Sequence, residues 1–220
     1  MNKQTNAIAA VEPVDRDFGG REPAVVDKST VRQKLNIGTL EKFRGFLEEN
    51  PEKGKLHLQV KAIYEGHAGR STVHVGPYGL DEERVDRPTR HYTFPFGAWR
   101  EVEEMTGVEG PTDRIEPVEM TLAAMAACLV NSITVNAARL GISTSGLEIN
   151  IKTTVDPRVM LDLKDPDDQS SCLGTIEYDV EVADDVSDED LKTIRKLCRH
   201  SPVHGLIEKS IDISGEVRRA

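Results

Sequence analysis

Alternation of apolar and polar positions marks several stretches of this chain as strands. Leu56, Leu58, Val60 and Ala62 alternate with His57, Gln59 and Lys61, which is the period of a half-buried strand. Thr72 to Val75 supply a return strand after the turn Gly66 to Gly69, so a hairpin is expected with Arg70 near its turn. Leu147, Ile149, Ile151, Thr153 and Val155 alternate too, as do Ile176, Tyr178, Val180 and Val182. The polar, Asp- and Pro-rich run Asp156 to Ser171 between these two sets predicts an antiparallel pair. Ile211, Ile213 and Val217 suggest a last strand.

A longer period marks the helices. From Ser29, the positions Val31, Leu35, Ile37, Leu40, Phe43, Phe46 and Leu47 form a rough stripe, read as one or two short helices interrupted near Gly38 and ended at Asn50-Pro51. Glu119 to Leu140 contains no Pro or Gly, follows Pro117 and stops at Gly141, which predicts one helix of about 22 residues and ~33 Å. Its centre is nearly all apolar, but Thr121, Asn131, Ser132 and Thr134 interrupt it, and the apolar stretch is too short for a bilayer span. A core helix between layers is expected, with Ala123, Ala124, Ala126 and Ala127 allowing close approach of a neighbour. Ser187 followed by Asp188, Glu189 and Asp190 caps a further helix whose apolar face is Leu191, Ile194, Leu197 and Cys198, and Pro202 breaks or restarts it. The order is hairpin, long helix, two strands, helix, strand. This is an α+β pattern, with no βαβ alternation and no Gly-rich phosphate loop.

Residues 77 to 116 have no clear period and read as an irregular, charged segment. Tyr92, Phe94, Phe96 and Trp99 crowd there, although the chain has only one Trp, four Tyr and five Phe. They are read as rings that anchor a long loop, the alternative being a wall over an apolar pocket. The first 27 residues mix Asn, Gln, Pro, Gly and charge and read as a loosely ordered arm. Residues 1–54 are taken as an extension with short helices and 55–220 as the domain proper.

Charge narrows the function. Asp and Glu number 38 against 28 Lys and Arg, and the net charge of −10 argues against a nucleic-acid or anionic-membrane partner. Met1 to Arg21 has no apolar signal core, so a cytoplasmic protein is expected. Three cysteines, Cys128, Cys172 and Cys198, are too few for a disulfide framework. Cys198, His200 and His204 invite a zinc reading, but Pro202 interrupts the spacing and no further ligand pair is visible, so neither metal nor cofactor is expected.

The run from Pro117 through Glu119-Met120-Thr121-Leu122-Ala123-Ala124-Met125-Ala126-Ala127-Cys128, followed by Gly141-Ile142, a strand pair and Ser201-Pro202-Val203, resembles the OsmC/Ohr family of organic hydroperoxide reductases. The resemblance covers about residues 55 to 220 and implies antiparallel sheets around a long central helix in an intertwined homodimer. It implies that Cys128 attacks a peroxide and that a second Cys, before Pro-Val, resolves the product. Here that second position is Ser201. The family also carries a Glu ten residues before the reactive Cys, where this chain has Val118; Glu119 is nine before and is turned by ~100° on the helix. An Arg from the hairpin completes the family site, and Arg70 after Ile63-Tyr64-Glu65-Gly66 is the candidate, with Arg84, Arg87 and Arg90 as competitors.

The resemblance makes chemical sense. Only a thiolate is a good nucleophile toward a peroxide oxygen, and burial raises a thiol's pKa, so a cation is required nearby. The thiol would pass through a sulfenic acid. Cys198, one helical turn from Ser201, is a second candidate for the resolving thiol, although a disulfide tolerates only about 7 Å between Cα atoms and an apolar contact is the favoured reading. Cys172 reads as an inert residue of a polar loop. The expected activity is thiol-dependent reduction of organic hydroperoxides, with a small hydrophobic peroxide or other apolar ligand and an external thiol as partners. The alternative is a small-molecule binding protein of the same fold that has lost turnover.

Overall fold

The computed structural model describes residues 31–165, 173–209 and 213–219. The expected N-terminal arm, Cys172 and Ile211 lie outside the described residues. The described residues open with a hairpin of two-residue strands, β1 (Val31–Arg32) and β2 (Leu35–Asn36), whose turn places Gln33 and Lys34 at φ 50° and 62°. The first expected helix therefore starts later than its apolar stripe. It is α1 (Ile37–Glu49), begun where the Asn36 side chain accepts from Thr39 N at 2.8 Å, and Gly38 lies inside it without interrupting it.

The expected hairpin is present as β4 (Val60–Tyr64) against β5 (Ser71–Val75), antiparallel, with Gly66 and Gly69 at φ 88° and 77° in the turn. Leu56 does not continue this strand. It belongs to β3 (Leu56–His57), which pairs with β6 (Tyr78–Leu80), itself paired with β7 (Glu83–Val85). The segment 77–116 is thus more regular than its sequence suggests, because β8 (Tyr92–Phe96) pairs with β5 despite Pro95, and α2 (Arg100–Met105) follows. Pro is tolerated in β8 because the sheet order β4-β5-β8 makes it an edge strand.

The central helix α3 runs Pro117–Leu140 and ends at Gly141, φ 79°. Its start is fixed by a reciprocal cap. The Glu116 side chain accepts from Val118 N and Glu119 N, while the Glu119 side chain accepts from Glu116 N. Against α3 pack the antiparallel strands β9 (Glu148–Lys152) and β10 (Glu177–Glu181) and the helices α4 (Asp188–Leu197) and α5 (Pro202–Glu208). The buried cluster is Met125, Leu129, Ile133, Ala137, Ile142, Ile194, Leu197 and Cys198. By length and composition α3 could cross a membrane; here its stripe Met125, Leu129, Ile133 and Ala137 packs into that cluster. The expected last strand is absent among the described residues, where 213–219 form no strand and Ile213 and Val217 are fully exposed. Charged residues flank both, leaving no apolar face to dock. The architecture is α+β, with antiparallel sheets beside a long central helix.

Candidate functional site

Cys128 sits in the middle of α3 and is half-buried. It adjoins Leu129, at 0% exposed one of the most enclosed side chains, so its thiol lies at the margin of the buried stripe rather than within it. Ser132, four residues on, shares that side of the helix, and its hydroxyl donates to the His200 carbonyl at 3.4 Å. Cys128 therefore lies on the side of α3 that meets the turn carrying Ser201. Ser201 itself is buried and caps α5, its Oγ accepting from His204 N at 3.2 Å.

The other sequence candidates are engaged elsewhere. Arg70 is 7% exposed and forms a two-pronged pair with Glu103, Nε to Oε1 at 2.9 Å and Nη2 to Oε2 at 2.5 Å. Its Nη2 also donates to the Gly110 carbonyl at 2.7 Å. Glu103 additionally accepts from Thr112 N at 2.7 Å, and the Arg70 bond, ahead of the backbone one, pulls its carboxyl down to about 2. Arg84 pairs with Asp86 at 3.2 Å, Arg87 precedes the short turn Pro88–Arg90, and Arg90 stacks on the rings of Tyr78 and Tyr92.

Glu119 and Cys128 are not brought together. Nine residues at ~100° each place them on opposite sides of α3. Glu119 instead lines a cleft of about 410 Å³ with Trp99, Glu116, Leu122, Ala126 and Ile151. Of the aromatic group, Trp99 walls this cleft, while Tyr92, Phe94 and Phe96 belong to β8.

Cys198 is 3% exposed and lies in the apolar cluster. Its thiol donates to the Ile194 carbonyl at 3.4 Å and shares a hydrogen bond with the Tyr178 hydroxyl. Burial pushes this thiol up, with the Tyr178 bond opposing in part, and burial likewise raises Tyr178. The Tyr178 ring meets the His204 ring edge-on at 5.8 Å. Among the described residues, no three of His, Cys, Asp and Glu cluster so as to hold a metal ion.

Two residues escaped sequence reasoning. Glu116 was legible in principle, since Glu116 with Glu119 three residues later has the spacing of a capping box, although Glu is an uncommon cap. Glu103 had no signal, because its partner Arg70 lies 33 residues away and Glu103 belongs to no motif.

Residues 110–216, the part that holds α3, the strand pair and the Ser201 turn, match the family described as OsmC-like protein. This part of the chain resembles the OsmC-like family. The structure is similar to that of an OsmC-like protein from Mycoplasma pneumoniae, with a TM-score of 0.46 and 15% identity over 69% of this chain and 86% of that one. It is also similar to a protein from Psychrobacter arcticus 273-4 described as an osmotic stress induced and detoxification response protein, with a TM-score of 0.44 and 12% identity over 66% of this chain and 85% of that one. No curated protein matches the chain.

Proposed function

We propose that this OsmC-like chain reduces organic hydroperoxides, with Cys128 as the attacking thiol and an external small thiol as reductant. One observation carries the reading: of the two described cysteines, Cys128 is the half-buried one, on the central helix of the family-matched segment, whereas Cys198 is enclosed in the core. The Cys128 thiolate attacks the terminal peroxide oxygen, the S–O bond forms as the O–O bond breaks, and the alkoxide leaves to be protonated as the alcohol. An external thiol then condenses with the sulfenic acid, releasing water. A second external thiol frees Cys128 and departs as a disulfide. Ser201 cannot take part in this exchange, because a hydroxyl forms no disulfide. Cys198 is withheld by its contacts with Ile194 and Tyr178.

The reading includes a homodimer. Val60, Ile63 and Tyr64 on β4 and Val135 and Leu140 on α3 are large apolar side chains left exposed, which supports cover by a second copy. That copy also offers a source for the cation beside Cys128, given that Arg70 is held by Glu103 within its own chain.

A second reading, a small-molecule binding protein without turnover, is favoured by two particulars. Arg70 is committed to Glu103, and Glu119 lies across the helix from Cys128. The two readings part on mass spectrometry of Cys128 after a stoichiometric organic hydroperoxide, followed by turnover with several thiol reductants. Sulfenic acid at Cys128 and thiol-dependent turnover that is lost in Cys128→Ser support the peroxidase. An unmodified Cys128 and no turnover with any reductant overturn it.

A further inference from the structure

A second cleft, of about 360 Å³, lies on the outer sheet β4-β5-β8 at the end where β5 leaves and β8 enters. The side chains of its lining that can carry positive charge are Lys61, His74 and His91, and among the described residues no carboxylate lines it. Strand register explains the grouping. Lys61 stands opposite His74, and His74 opposite Thr93, so these three side chains cross three neighbouring strands in one row on one face. His91, two residues before Thr93, continues that face.

The rings are also oriented. His74 Nδ1 meets Thr93 Oγ1 at 3.2 Å. His91 turns its Nε2 toward Asp86 Oδ1 at 2.8 Å, which leaves Nδ1 on the side of Gly76, where an added Cβ would lie 3.6 Å from it. Asp86 therefore sits behind His91 and is shared with Arg84, and Arg90 is occupied by the rings of Tyr78 and Tyr92. In a chain of net charge −10, a cleft lined by Lys and two His is not a by-product of composition. Cation-capable groups across adjacent strands disfavour one another unless an anion joins them.

We propose that this cleft binds a small molecule through an oxyanion group, a phosphate or a carboxylate, held by Lys61, His74 and His91. The site is separate from Cys128 and does not depend on the peroxidase reading. The full-length protein is titrated with sodium phosphate and, separately, with sodium acetate at constant ionic strength while the imidazole proton resonances are followed by NMR. The chain has six histidines, so His57, His67, His200 and His204 serve as internal controls. Saturable shifts confined to His74 and His91 are expected, and the tighter of the two anions identifies the group recognised. Lys61→Ala and Gly76→Ala should each weaken binding by roughly tenfold, the second by filling the space before His91 Nδ1 with every charge retained. Shifts that are unsaturable and equal at all six histidines, or an affinity unchanged in both variants, overturn the proposal.

Discussion

From Pro117 onward the interior of the chain is apolar apart from Ser201: Leu129 and Ile133 are wholly enclosed between α4, α5 and the strand pair β9-β10. Before Pro117 the situation is reversed. The buried side chains among the described residues of that part are Val85, Arg70 and Glu103, and the strand β4 is exposed along its whole length. The later part can hold its shape by removing apolar area from water. The earlier part has no comparable cluster, and a charged pair fixes α2 and the segment around Gly110 to the hairpin. The family match begins at residue 110, close to where the self-contained core begins. A region with an enclosed polar pair and an uncovered apolar face has less buried apolar area to draw on than its neighbour, and its polar pair is sensitive to the loss of either member.

The largest test of this contrast is Leu129→Ala. Removing a wholly enclosed leucine should cost about 3 kcal/mol, by lost transfer energy and a residual cavity, and lower the denaturant midpoint with little change in slope. A loss below about 1 kcal/mol would mean that the cluster is loosely packed and that the contrast between the two parts is false.

Glu103→Gln tests the other side. It leaves Arg70 enclosed without its counter-charge, and the expected drop in Tm is about 5 °C, with amide exchange accelerating first near Arg70 and Thr112 rather than in α3. The pH dependence has a definite sign. The Glu103 carboxyl is lowered from 4.5 to about 2 in the folded chain, so its contribution is present above about 4.5 and is lost as the pH falls toward about 2. Glu103→Gln should flatten the stability profile in that interval. An unaltered profile would remove the pair from the account.

These expectations also indicate what the sequence could reveal. Local signals sufficed for α3, bounded by Pro117 and Gly141, for β9 and β10 with their alternation, and for the Ser187 cap of α4. Each of those elements carries its own period or punctuation. The segment 77–116 was opaque because β6, β7 and β8 are three to five residues long and β8 contains Pro95, so no window is long enough to establish alternation. Of the candidate site, Cys128 and Ser201 are singled out by the motif they sit in, and the structure places the Ser201 turn on the Cys128 side of α3. The Arg70 to Glu103 pairing was not legible, because a tertiary ion pair leaves no trace in spacing.

The two described cysteines offer a smaller test within one layer. Cys128 is half-buried, while Cys198 is enclosed and its thiol is pushed up by burial. Iodoacetamide should label Cys128 in the native protein and Cys198 on the order of a hundredfold more slowly. After oxidation, peptide mapping should find no disulfide between them. Equal labelling rates, or such a disulfide, would show that the core opens around α4 far more readily than its packing implies.

The smallest effect concerns the join between the two parts. Arg32 on β1 reaches the end of α3, its Nη1 donating to the Ala138 and Arg139 carbonyls at 3.3 Å each, while Gln33 Nε2 donates to the Ile142 carbonyl at 3.1 Å. The Ala138 and Arg139 carbonyls belong to the last turn of α3, where Ala138 O also accepts from Gly141 N at 3.3 Å, so a cation there is favoured twice, by hydrogen bonding and by the helix dipole. Arg32→Ala should therefore cost about 0.5 to 1 kcal/mol, since water can replace an exposed donor. Gly141 adds a second handle. Its φ of 79° makes Gly141→Ala unfavourable by about 1 kcal/mol through the backbone alone, and the new Cβ would stand 3.1 Å from Arg32 Nη1, displacing the guanidinium. In the Arg32→Ala background that displacement has nothing left to disturb. The double variant should thus lose less stability than the two single losses added together, by a few tenths of a kcal/mol. Strict additivity in the cycle would mean that Arg32 does not cap α3 in solution, and would shift the weight of this join to the hydrogen bonds of Gln33 with Ile142 and Thr144.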